Sequence, residues 1–251
     1  VRATMMGVMG DVYAALGLYD PADALLRSVV DERRAAAGGR PDEALAAGLH
    51  ALGDLAFKRG EYGRADSLFT EALAMRRELH GPAHADVLQT LLELGSLADV
   101  SGQLDLAADL LGEAERIAIT LSPPDSLRLA ATLTVSGDLQ QSLGHYDSAV
   151  VLLQRSVDIQ RAVSGPEHPS TVEGMRRLAD VLGSAGRIEE ARVIQTTTLE
   201  ILHRILPPEH PLLARAMQSL ATTLKTQGRY GDAEPLQARA LEVFRAAFPG
   251  D

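Results

Sequence analysis

One ten-residue phrase occurs six times in this chain of 251 residues. It reads GLYDPADALL from Gly17, GEYGRADSLF from Gly60 and GQLDLAADLL from Gly102. It returns as GHYDSAVVLL from Gly144, GRIEEARVIQ from Gly186 and GRYGDAEPLQ from Gly228. The glycines step by 43 residues once and by 42 four times. A fixed period of this size marks an array of one supersecondary unit, in which each copy buries its apolar face against its neighbours.

The columns of the alignment say what the unit is. Five positions after each glycine stands alanine: Ala22, Ala65, Ala107, Ala149, Ala191 and Ala233. Two positions after it stands a bulky residue: Tyr19, Tyr62, Leu104, Tyr146, Ile188 or Tyr230. Eight after come Leu25, Leu68, Leu110, Leu152, Ile194 and Leu236. Seven before it the residue is small: Gly10, Gly53, Gly95, Gly137, Ala179 or Ala221. The turn glycine closes a helix at positive φ, where a Cβ is penalised. The alanine marks a close approach of two helices, and the small residue seven before the turn is the matching hollow. Leu and Ile at spacings of three and four supply the apolar stripe.

Each unit therefore reads as an antiparallel helix pair. Proline marks its other boundary, in HGPAH at 80–84, SPPD at 122–125, GPEHP at 165–169 and PPEHP at 207–211. Proline ends one helix and is tolerated in the first turn of the next. AGGRPDEA at 37–44 uses the same chemistry.

This pattern resembles the tetratricopeptide repeat (TPR). The residues that carry the resemblance are Leu52-Gly53 and Leu94-Gly95 on the first helix of a pair, Gly60 with Tyr62 and Gly228 with Tyr230 at the turn, and Ala65, Phe69 and Ala72 on the second helix. The longer period and the GPEHP boundary make it similar to the kinesin-light-chain type, and both helices are expected to be longer by about a turn than in the usual 34-residue repeat. The resemblance implies an all-α, right-handed solenoid of six antiparallel helix pairs. It implies one domain over 1–251, with units at about 1–40, 41–82, 83–124, 125–166, 167–208 and 209–251. It also implies a non-catalytic scaffold that binds a protein or peptide along the wall formed by the first helices, without cofactor or metal.

By the same resemblance, the position six before each turn glycine faces the groove. It holds Asp11, Asp54, Ser96, Asp138, Asp180 and Thr222. Four carboxylates along one wall would favour a ligand with a basic segment; the alternative is a solvated helix face. Further groove candidates are His50 and Phe57, then Gln89, Leu92 and Asp99, then Thr134 and Gln141, then Glu173 and Arg176, and last Arg215, Gln218 and Lys225. The last two units are the more basic inside, which would suit a ligand polarised along its length. Kinesin-light-chain repeats carry paired asparagines that clamp a peptide backbone, whereas this chain contains no Asn. The matching positions hold His50-Ala51, Leu92-Glu93, Thr134-Val135, Arg176-Arg177 and Gln218-Ser219, so that clamp does not carry over.

Composition narrows the rest. There is no cysteine, which removes disulfides, thiolate metal sites and a Cys nucleophile. A formal net charge of −10 gives no broad attraction for nucleic acid or an anionic membrane. No apolar run reaches the length of a membrane span. Of the seven histidines, His80, His84, His168 and His210 stand in or beside the proline-marked boundaries, where a turn or capping role is expected. His80 and His84 have a metal-like spacing, but Gly81 and Pro82 break the helix between them. No Ser, His and Asp are placed by the repeat to act together. The chain begins at Val1 and reads as a piece of a longer protein. Its opening is similar to the start of TPR regions that follow the kinase and membrane segments of bacterial Ser/Thr protein kinases, which would put it in the cytoplasm or, beyond a membrane segment, outside. Two lysines against 22 arginines fit a GC-rich bacterial genome. Met5, Met6 and Met9 at one end, and Leu241, Val243, Phe244, Ala247 and Phe248 at the other, offer apolar surface for an alternative role, homodimers joined through the ends.

Overall fold

A computed structural model describes residues 8–10, 12–14, 16–121 and 125–247, and among them all regular structure is α-helical. The chain divides into two compact units, Val1–Asp125 and Ser126–Asp251. In the first, helical residues at 8–10 and 12–14 precede α1 (Tyr19–Ala37), α2 (Glu43–Lys58), α3 (Tyr62–His80), α4 (Ala85–Val100) and α5 (Leu104–Thr120). The second contains α6 (Ser126–Ser142), α7 (Tyr146–Ser164), α8 (Pro169–Ser184), α9 (Ile188–Ile205), α10 (Pro211–Thr226) and α11 (Tyr230–Ala247). Within each unit every helix packs on the next. The helix lengths of 16 to 19 residues match the long repeat.

The six hairpin turns have one geometry. The turn glycines lie between φ 73° and 76°, and none would meet a neighbour through an added Cβ, so backbone conformation alone selects glycine there. In each turn the amide after the glycine reaches back to the carbonyl five residues earlier, as Glu61 N does to Ala56 O at 2.9 Å and Gln103 N to Ala98 O at 2.8 Å. This is a Schellman closure, which satisfies the last carbonyls of the first helix.

The alanine column lies at the centre of the packing, and all six members are 0% exposed. In the first four hairpins the small residue seven before the turn faces the side chain nine after it. A Cβ on Gly53 would stand 2.6 Å from Phe69, and one on Gly95 only 2.5 Å from Leu111. Gly10 and Gly137 meet Leu26 and Leu153 in the same way, both at 2.8 Å. In the last two repeats the small residue is Ala179 or Ala221, and the residue nine after the turn becomes Gln195 or Gln237.

At the other boundary, histidine caps the helix. The Nδ1 atoms of His84, His168 and His210 accept backbone N–H groups from Asp86, Ser170 and Leu212 at 3.2 to 3.3 Å. Pro169 and Pro211 follow directly, in the first turn of α8 and α10. Asp42 caps α2 by accepting from Leu45 N at 2.8 Å. His80 has a different role: it is the last residue of α3, stacks on His84 and contacts Glu43.

Candidate functional site

In the second unit, α8, α9 and α10 enclose a cavity of about 550 Å³. Each helix gives one stripe at helical spacing: Val172, Arg176, Ala179 and Asp180 from α8, Gln195, Thr198, Leu202 and Ile205 from α9, and Leu212, Arg215, Ala216 and Ser219 from α10. The floor is apolar. Glu173, Arg176, Asp180 and Arg215 give the lining its charge. Gln195 is 8% exposed; its Nε2 donates to Ser219 Oγ at 2.9 Å, while its Oε1 is buried without a partner among the described residues.

The charged groups differ in their freedom. Arg176 donates to Glu173 at 2.6 and 2.9 Å and to Asp180 at 2.6 Å. Arg177, one residue on, pairs with Asp138 and with Glu173. Those arginines, Arg176 first, hold the Glu173 carboxyl below its ordinary range against the opposing effect of burial. Arg215 is exposed and makes no hydrogen bond or ion pair among the described residues. The cavity thus offers an apolar floor beside one uncommitted guanidinium.

Register explains why it is open. Leu202 stands sixteen after its turn glycine; the same register holds Arg76 in α3 and Gln160 in α7. Arg76, only 4% exposed, donates to the Asp86 carbonyl at 2.9 Å, to Thr90 Oγ1 at 2.7 Å and to His50 Nδ1 at 3.4 Å. By register, Asp86, Thr90 and His50 correspond to Leu212, Ala216 and Arg176, three residues that line the cavity. Arg76 therefore fills in the first unit the crevice that Leu202 leaves open in the second. Gln160 fills another: its Oε1 would lie 2.6 Å from a Cβ on Gly174, the register partner of Ala216.

The expected groove residues are placed as follows. Arg176, Asp180 and Arg215 meet at the cavity. Gln218 and Lys225 are exposed on α10, and Gln89 is exposed on α4. Asp99 and Gln141 are half-buried near the ends of α4 and α6. Phe57 is half-buried and tilts against Tyr62, with ring centroids 5.8 Å apart. His50 is only 7% exposed beneath Arg76, and burial, with help from that guanidinium, lowers its pKa to about 4. Of the aspartates, Asp138 and Asp180 are ion-paired to arginines, which offsets their charge locally. Asp54 lies half-buried near Glu93, whose carboxyl is pushed up to about 7 by burial and by the Asp54 charge. Asp11 lies outside the described residues. Sequence reasoning missed the column sixteen after the turn; its signal was irregular residue type inside an otherwise regular repeat.

A family model described as tetratricopeptide repeat matches residues 42–120, 128–203 and 175–246. The chain belongs to the tetratricopeptide-repeat family. Solved structures share the fold. BtubC (BKLC) from P. vanneervenii superposes with a TM-score of 0.77 at 22% identity, covering 93% of each chain. A Podosopora anserina structure of kinesin light chain nearly identical TPR-like repeats gives 0.67 at 25% identity, over 79% of this chain and 94% of its own. Rap protein complexed with competence and sporulation factor gives 0.72 at 12% identity, over 98% of this chain and 75% of its own. No curated protein matches in sequence. The TPR scaffold is typical of protein–protein interaction and generally non-catalytic. Among the described residues no helix is long and apolar enough to cross a membrane.

Proposed function

We propose that this TPR protein is a non-catalytic docking module that holds a peptide segment of a partner protein in the α8–α9–α10 cavity. The observation that carries this reading is the open crevice at Leu202, where equivalent crevices are filled by Arg76 and Gln160. Its volume lies in the range of natural ligand pockets, about 300–1,000 Å³. The chemistry of the lining selects an apolar side chain for the floor and a neighbouring carboxylate for Arg215. A neighbour of the same fold is complexed with competence and sporulation factor, which supports a docking role for such a scaffold. Placement in a bacterial signalling protein is supported by the resemblance of the opening sequence to kinase-linked TPR regions.

Selection from a displayed peptide library tests the reading. Enriched peptides should pair a bulky apolar residue with Asp or Glu, and Leu202→Arg should weaken them at least about tenfold by filling the floor. Enrichment of Lys- and Arg-rich peptides whose binding ignores Leu202→Arg but falls with Asp54→Asn would defeat it. That result would move the site to the first unit and favour the basic-segment ligand. Exposed Val8, Met9, Val12 and Leu16 favour a second reading, self-association through the ends, which light scattering over a range of concentrations would detect.

A further inference from the structure

We propose that the first unit carries a binding site for a zinc-class divalent cation at the corner joining α2, α3 and α4. The chain reverses through Gly81 and Pro82, and that reversal does what a continuous helix was expected to do. It brings His80 at the end of α3 against His84 and Asp86 at the start of α4. One ligand atom from each of the three lies within 4.8 Å of the others. The two imidazoles stack, with centroids 4.2 Å apart. Two neutral imidazoles and a carboxylate form a donor set suited to Zn(II); His80 would ligate through Nδ1, since its Nε2 faces Glu43, and the ion would take over from the Asp86 amide the lone pair of His84 Nδ1.

A second feature points the same way. Glu43, from the first turn of α2, sits 2.5 Å from His80 Nε2. A carboxylate on one ring nitrogen fixes the ring and raises the basicity of the other, as in metal-ligating histidines. With Asp86 it gives the corner two negative charges to balance a dication. The backbone is held as well: Arg76 bonds the Asp86 carbonyl at 2.9 Å, although its charge works against a cation. His80, His84, Asp86 and Glu43 all keep solvent access. A bound ion would tie the ends of three helices together and so stabilise the folded first unit.

The test uses the untagged, metal-free full chain, titrated with Zn(II) by calorimetry and with Co(II) by visible absorption. Saturable 1:1 binding is expected, together with a thermal midpoint that rises with Zn(II) concentration. His80→Gln and His84→Asn should each weaken binding at least tenfold; asparagine keeps the helix cap. Glu43→Gln should weaken it about 10- to 100-fold. His203→Gln, on α9, should bind as the parent does. The proposal falls if the folded parent takes up no metal, if the His80 and His84 variants bind like the parent, or if His203→Gln loses as much.

Discussion

The crevice among α2, α3 and α4 and the one among α8, α9 and α10 are built on one register and end differently. In the first, Arg76 crosses from α3 and bonds to both flanking helices. In the second, Leu202 leaves an apolar space. The helix pairs themselves use the same turn glycine, the same buried alanine and the same Schellman closure in both units. Positions that hold backbones together are uniform, whereas positions that fill the gap between successive pairs vary. The lesson is that the open space in such an array depends on what a second helix sends into the gap as much as on what the first helices display.

Converting one region toward the other tests this. The largest effect is expected where Phe69 of the first unit matches Gln195 of the second. Phe69→Gln places an amide without a designed partner in a fully buried aromatic site and should cost about 4 kcal/mol in urea denaturation. Gly53→Ala alone should cost about 2 kcal/mol, since its Cβ would stand 2.6 Å from Phe69. In the Phe69→Gln background it should cost almost nothing, because Ala179 and Gln195 hold these two registers in the second unit. Equal costs in both backgrounds would break the idea that the two columns are matched.

A smaller effect is expected from emptying the filled crevice. Arg76→Ala removes three hydrogen bonds and leaves a void, with a loss of about 2–3 kcal/mol. It should also let His50 titrate above about 4 by NMR, since part of that depression comes from Arg76. An unchanged stability would show that the guanidinium is not what closes the gap.

The smallest effect concerns Glu93, which occupies the register of Ser219. Its folded-state pKa of about 7 lies above the ordinary 4.5, so the folded form keeps a proton that the unfolded chain has released. Stability from this group falls as pH rises from about 4.5 to 7 and is level above that. His50, lowered from 6.5 to about 4, acts with the opposite sign between those values. The difference between the parent and Glu93→Gln isolates the carboxylate. The variant should be more stable by about 1–2 kcal/mol at pH 8 and show little advantage at pH 4.5. A pH-independent difference would mean that Glu93 does not titrate in this range.

The fold was legible from the sequence because its determinants recur. A glycine that must take positive φ, an alanine with no room for more and a proline at a helix start are each written several times, so chance is removed by repetition. The capping histidines were legible as boundary residues, and the structure adds the acceptor atom. The site was less legible. His50 reads as a groove residue by its place on the first helix, but Arg76, 26 residues later, covers it. Asp138 and Asp180 read as part of an acidic wall, but whether an arginine neutralises each depends on side-chain reach that a column of letters does not contain. The residue that opens the cavity belongs to the helix that was read as structural packing.

The Arg76 and Leu202 register bears on how such an array is re-addressed. Under the proposed docking role, a long polar side chain at that register seals a junction and a shorter apolar one leaves it receptive. On that proposal, the place of docking is set by one side chain, with no change in architecture and no new loop.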